Sequence, residues 1–174
     1  MKRPVMVSSL VAVAVVVVLT SLLMTRHSVR ASIAPSPLLG RLAPQIMGNE
    51  LDGGTFDLAQ HRGQIVVVNF WASWCVACVQ EAPDLSTFAW RERHRGVLLV
   101  GVVFNDSLSS ARSFEHHYGS LYQSLIDPGG SMANVYGVSA PPTTFVIDRQ
   151  GRVAVTLLGP VSEKQLTAVV AQVR

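Results

Sequence analysis

Cysteine is nearly missing from this chain: Cys75 and Cys78 are the only two in 174 residues. That excludes a small fold held by a framework of several bridges. It leaves a tetrahedral zinc site half supplied, because such a site takes about four ligands. None of His27, His61, His94, His116 and His117 stands at a spacing that completes the set. Covalent haem attachment requires C-x-x-C-H, and the residue after Cys78 is Val79. Charge is sparse as well, at 14% of residues. It is also balanced: setting Lys2 and Arg3 aside leaves 14 − 2 = 12 basic residues against 11 acidic ones. No basic cluster interleaved with aromatic residues is present, so nucleic-acid binding has no footprint.

Hydrophobic residues are plentiful, and their distribution is uneven. Val5 to Met24 is a 20-residue stretch without a charge, broken only by Ser8, Ser9, Thr20 and Ser21. As a helix it would span about 30 Å, the thickness of one bilayer core. A signal peptide's apolar core is shorter, about 7–15 residues. The small-x-small triplet Ser32-Ile33-Ala34 lies far past the apolar end, beyond Arg26 and Arg30. A retained anchor is therefore the favoured reading, and a cleaved signal is the alternative. With residues 1–4 cytoplasmic, both put the rest of the chain outside the cytoplasm, where disulfide chemistry is possible. The stretch 25–39, polar and punctuated by proline, reads as a tether. Residues 40–174 are long enough for one domain with its own core.

Within that domain, Asp52-Gly53-Gly54 supplies turn chemistry between short strand-like segments, an N-terminal hairpin. "IVVVNFW" (65–71) is a short, β-rich apolar run, as in a buried central strand. A helix is expected from about Cys75 to Arg95, kinked at Pro83. "VLLVGVVF" (97–104) reads as a second buried strand and 109–118 as a helix opened by serine. Short elements follow at 125–126 and 131–136. Strands at 143–148 and 153–158 flank the turn "RQGR", and a last helix is expected over 162–170. The order β-α-β-α-β-α-β-β-α describes an α/β domain with a central mixed sheet flanked by helices.

A disulfide closing so short a loop stabilises by only roughly 2 kcal/mol on loop entropy, against about 4.7 for a 100-residue loop. A purely structural bridge is thus a weak use of the two cysteines. A C-x-x-C after a buried strand, opening a helix in an α/β pattern, suits a redox dithiol. At the helix start, free backbone N–H groups and the helix dipole favour the Cys75 thiolate. Cys78 lies one turn further in. Cys75 is then the attacking thiol, and Cys78 resolves the mixed disulfide.

"NFWASWCVACVQEAPDL" (69–85) resembles the active-site segment of the thioredoxin-like TlpA/ResA/DsbE (CcmG) family. These are membrane-tethered thiol–disulfide oxidoreductases, many of them serving cytochrome c maturation. "YGVSAPPTTFVIDRQGRV" (136–153) is similar to the family's cis-proline segment and hairpin. "GNELDGGTFDLAQHRGQIVVVNFW" (48–71) is similar to its N-terminal hairpin and first core strand. The likeness covers about residues 40–170 and the anchor. It implies a thioredoxin-like fold with an N-terminal hairpin extension and a central βα insertion.

The resemblance also implies roles. Pro142 is the cis-proline beside the dithiol, and Pro142 and Thr143 border the substrate-binding edge. Glu81 is the carboxylate beneath the dithiol, able to exchange a proton with Cys78. Thioredoxins proper carry an aspartate on the preceding strand, and Asn69, which cannot titrate, stands there instead. Trp74 contributes to the docking surface, whereas Trp71 is read as core. One departure stands out: Ala77 occupies the position before the second cysteine, where many relatives have proline. No metal or cofactor is expected.

Function follows as an expectation. The chain is a single-pass membrane protein whose periplasmic domain keeps the cysteines of apocytochrome c, or of a maturation partner, reduced for haem attachment. Its electrons come from a membrane thiol transporter of the DsbD/CcdA type. The alternatives are copper delivery to an oxidase, reduction of cysteines at a copper site, and a peroxiredoxin-like peroxidase. Copper delivery lacks a third ligand beside C-x-x-C. The peroxidase lacks the P-x-x-x-[ST]-x-x-C context, since "NFWASW" precedes Cys75.

Overall fold

The computed structural model describes residues 14–21 and 30–173. Most of the apolar run 5–24 and the first part of the tether lie outside the described residues. The described residues 14–21 are helical and belong to α1. Among the described residues no helix is long and apolar enough to cross a membrane.

Period-two alternation organises the rest. In β4 (Ile65–Trp71) all seven residues are buried, because both faces of the strand are covered. Val66, Val68 and Phe70 point to one face, where they join Val100, Val102, Phe145 and Ile147. Ile46, Phe56, Met132 and Tyr136 close that layer from the N-terminal segment and from α4 (Ser131–Tyr136). Ile65 and Val67 point to the other face, against Leu85 and Phe88 of α2 (Val76–Glu92) and Leu166, Val169 and Val170 of α5 (Glu163–Val173).

β4 is central in a six-stranded sheet of order β1-β8-β7-β4-β5-β6. β5 (Val97–Val103) lies parallel to β4, and β6 (Gln123–Ile126) parallel to β5. β7 (Thr143–Ile147) and β8 (Val153–Leu158) form an antiparallel hairpin whose first strand pairs with β4. β2 (Met47–Asn49) and β3 (Thr55–Asp57) make the expected separate hairpin. The fold is thioredoxin-like, with a mixed sheet between helical layers.

Several boundaries differ from the sequence reading. The tether read over 25–39 is in part a strand. Ser32–Ile33 is β1, antiparallel to β8, with Ser32 opposite Leu158 and Ile33 opposite Leu157. It holds through backbone hydrogen bonds, which the polar, proline-punctuated composition does not reveal. α3 (Leu108–Tyr118) is capped by Ser107, whose hydroxyl accepts from the Ser110 N–H, so it starts before the serine run expected to open it. α2 runs through Pro83 as one helix, as expected, but ends at Glu92, three residues short of the expected Arg95.

Gly101 of β5 marks a close approach. A Cβ there would press on Ser124 Oγ and stand 2.6 Å from Trp71 Nε1. Those two atoms are hydrogen-bonded at 3.2 Å, the indole N–H donating. Gly101→Ala is therefore expected to lose about 1–3 kcal/mol by overpacking, read as a lower denaturant midpoint at unchanged m-value.

Candidate active site

The C-terminal ends of β4 and β5, and the start of β7, meet at one end of the sheet. The chain leaves β4 at Trp71 and enters α2 at Val76. Cys75 is the N-cap of α2, in extended conformation, and its Sγ accepts from the Cys78 N–H at 3.1 Å. A sulfur takes the place of the capping oxygen usual at this position. Cys75 and Cys78 are joined as a disulfide, with Cα atoms 5.2 Å apart. The opening turn of α2 thus sets the Cys75 sulfur where backbone donors and the helix dipole favour negative charge. Ala77, unlike a proline, keeps one more N–H in that turn.

Both cysteines are largely buried, packed with Trp71, Ala72, Ala82, Val103 and Phe114. The apolar rim outside them is open: Trp74 is 56% and Val76 73% exposed. Trp74 donates its indole N–H to the Asn105 carbonyl at 3.1 Å. Asp106 accepts from the Ser73 N–H at 2.7 Å. Asn105 adopts φ 45°, a left-handed conformation that asparagine tolerates better than most residues. The β5–α3 loop therefore grips the approach to the cysteines from both sides of Ser73-Trp74. Sequence reasoning missed Asn105 and Asp106. An Asn-Asp-Ser run between a strand and a helix signals a turn and a cap, but nothing in it signals a partner 33 residues away.

Glu81 sits one turn beyond Cys78 on α2, a spacing that puts the two side chains on the same helix face. It is 1% exposed. Its Oε1 accepts from Asn69 Nδ2 at 2.9 Å and its Oε2 from the Val161 N–H at 2.9 Å. Asn69 Nδ2 also donates to Thr144 Oγ1 at 3.1 Å. Burial pushes the Glu81 carboxyl up to about 7, and the bonds from Val161 and Asn69 only partly offset it. The carboxylate is thus held ready to take or give a proton near neutral pH. Asn69, which cannot titrate, serves as its donor.

The Pro141–Pro142 peptide bond is cis, as the resemblance implied. Pro142 is buried, and its carbonyl accepts from the Gly159 N–H. Thr143 is not open at the rim. It is buried, its residue pairs with Phe70 on one side and Leu158 on the other, and its hydroxyl donates to the Ala140 carbonyl. Pro141, lacking an N–H, can offer an extended chain only its carbonyl. The structure therefore brings Cys75, Cys78, Glu81, Trp74 and Pro142 to one end of the sheet and takes Thr143 into the sheet beside them. Among the described residues no group of three or more His, Cys, Asp or Glu side chains is placed to hold a metal ion.

Comparison with known proteins converges on the same chemistry. A family model described as AhpC/TSA family matches residues 39–156. The thiol:disulfide interchange protein HelX of Rhodobacter capsulatus is 36% identical over 138 residues, covering 76% of this chain and 75% of that one. The thiol-disulfide oxidoreductase ResA of Bacillus thuringiensis is 29% identical over 128 residues, 74% of each chain. Among solved structures, a thiol:disulfide interchange protein of the thioredoxin family from Chlorobium tepidum superposes with a TM-score of 0.70 at 29% identity. That match covers 80% of this chain and 99% of that one.

Proposed function

The chain belongs to the AhpC/TSA family and is a thiol–disulfide oxidoreductase of the ResA, HelX and DsbE type; from that premise we propose that it acts as a disulfide reductase on cysteines awaiting haem attachment. The domain works on the outer side of a membrane that residues 5–24 anchor it to. Its substrate is apocytochrome c or a protein that handles it. A membrane dithiol transporter of the DsbD/CcdA type returns it to the reduced state.

The buried carboxylate of Glu81 carries the direction of this reading. A strongly oxidising disulfide owes its potential to a stabilised reduced form, in which one thiol is a firmly held thiolate. Here the donors of the α2 start favour the Cys75 thiolate, but a carboxylate one turn along from Cys78 on the same helix face opposes further negative charge there. The reduced state is therefore less favoured, and the dithiol gives up its electrons more readily.

The equilibrium potential tests it. In glutathione buffers at pH 7 the Cys75–Cys78 couple is expected on the reducing side of about −180 mV, the value of protein disulfide isomerase. A potential near −120 mV, where DsbA stands, would falsify the reductase direction and leave a thiol oxidase.

A further inference from the structure

β1 fixes where the N-terminal segment joins the domain. β8 runs toward the redox end of the sheet, finishing at Leu158 opposite Thr143, the first residue after Pro142. Because β1 is antiparallel to β8, Ser32 lies opposite Leu158 and the chain enters at that same end. Ser32, Leu158, Thr143 and Phe70 stand in one row across four strands. At about 4.8 Å per strand, Ser32 is roughly 14 Å from the strand that leads into the cysteines.

A second set of contacts places the entry independently. The Ala31 N–H donates to the Pro160 carbonyl at 2.8 Å, and Gln165 Nε2 donates to the Ala31 carbonyl at 2.8 Å. Pro160 precedes Val161, whose N–H holds Glu81. Gly159, beside Ala31 and the Arg30 carbonyl, donates its N–H to the Pro142 carbonyl. A Cβ on Gly159 would stand 3.6 Å from Ala31 Cα. The entry point is thus one residue from the donor of Glu81 and one hydrogen bond from Pro142.

We propose that this docked entry turns the redox end of the domain toward the membrane, so that its exchange partner is a disulfide or dithiol carried at that same bilayer surface. The proposal rests on residues 5–24 being an anchor. Only residues 25–29 separate the end of that run from Arg30, a reach of at most about 18 Å at ~3.6 Å per residue. Over so short a link, the end of the domain that receives the chain is the end held nearest the surface. The exposed side chains of Trp74 and Val76 stand at that end. A partner dissolved far from the membrane would be better served by entry at the opposite end.

The test uses the reduced full-length chain in phosphatidylcholine vesicles containing a phosphatidylethanolamine with a pyridyl disulfide on its headgroup. Cys75 thiolate attacks the lipid disulfide and expels pyridine-2-thione. Cys78 thiolate then displaces the lipid thiol and closes Cys75–Cys78. Two electrons pass from the dithiol to the probe, and absorbance follows the thione. A soluble pyridyl disulfide is the reference. The lipid-borne probe is expected to react faster than the reference at equal bulk concentration. Inserting 20 Gly/Ser residues between Val29 and Arg30 is expected to cut that advantage about eleven-fold, the −3/2 power of a link lengthened from 5 to 25 residues.

Reaction with the soluble probe should not change on insertion. An increase in lipid reaction on insertion would mean that the redox end faces away, and the proposal falls. Equal rates with both probes at both link lengths also overturn it. Vesicle flotation separates the two layers of inference: a chain that does not float with the vesicles disproves the anchor, and this proposal with it. A chain that floats but gains on insertion disproves the orientation alone.

Discussion

Cys78→Ser is expected to accumulate a stable mixed disulfide with a protein substrate through Cys75, while Cys75→Ser accumulates almost none. Turnover is lost in both. The asymmetry follows from where α2 starts. Cys75 is the N-cap, and its sulfur faces the N–H groups of the first turn. Those donors and the dipole stabilise negative charge at that atom. Cys78 lies one turn inside, 2% exposed, and is the sulfur nearer Glu81 along the helix. A carboxylate disfavours a second anion beside it, so Cys78 is the weaker nucleophile until its proton is removed. The attacking thiol must also reach an incoming disulfide. Cys75 has the exposed Trp74 and Val76 on either side of it. The measurement is intact-protein mass after incubation with an oxidised model substrate, with and without reductant. Equal adducts in both variants would contradict the division of labour.

How much of this was legible in the residues varies with the kind of interaction. The central strand could be read because seven successive buried positions must be apolar or satisfied, and "IVVVNFW" shows that directly. The two cysteines could be read by elimination and by their place after that strand. The cis bond at Pro142 was available only through resemblance, because the great majority of X-Pro bonds are trans. What escaped has a common cause. β1, the Val161 donor to Glu81 and the Asn105 carbonyl that receives Trp74 are all backbone groups. Every residue but proline carries the same N–H and every residue the same C=O, so their partners leave no trace in composition. Asp106 and Thr144 are side chains, but their partners lie 33 and 75 residues away along the chain. The resemblance sets Thr143 at the substrate edge beside the cis-proline, yet the ladder takes it on both sides.

Glu81→Gln is expected to slow the second half of the exchange and to flatten the stability profile below neutral pH. In the first half, Cys75 attacks and Glu81 is a bystander. In the second, Cys78 must lose its proton to attack the mixed disulfide, and the carboxylate one turn away is the group placed to take it. General-base help is worth about 10²–10⁴-fold; since a thiol also ionises unaided, the lower end applies, and resolution should slow by about 10²-fold. The mixed disulfide then becomes visible in rapid-quench experiments on the substitution variant. The wild-type resolving rate should rise with pH through about 7, where Glu81 ionises, and the variant should lack that step. An unchanged rate across pH 6–8 would reduce Glu81 to scaffold.

Stability provides the independent check, and its sign is opposite to that of an ion-paired acid. The folded protein holds the Glu81 proton up to about 7, against an ordinary value of 4.5. Between those values the folded state binds more protons than the unfolded one, so stability falls as pH rises and levels off above 7. The total is on the order of 3 kcal/mol for a group this deeply buried. Glu115, also raised by burial, bends the curve the same way in both proteins, so the difference between them isolates Glu81. Glutamine keeps one acceptor and presents an amide where the other oxygen stood. Asn69 can meet it: its Oδ1 is buried without a partner, and turning its amide over presents that oxygen to the new N–H. The variant therefore folds, loses the slope between pH 4.5 and 7, and is the more stable of the two at neutral pH. A loss of that slope together with a slower resolving step would tie the raised carboxyl of Glu81 to the proton transfer; a loss of the slope alone would leave it a structural group.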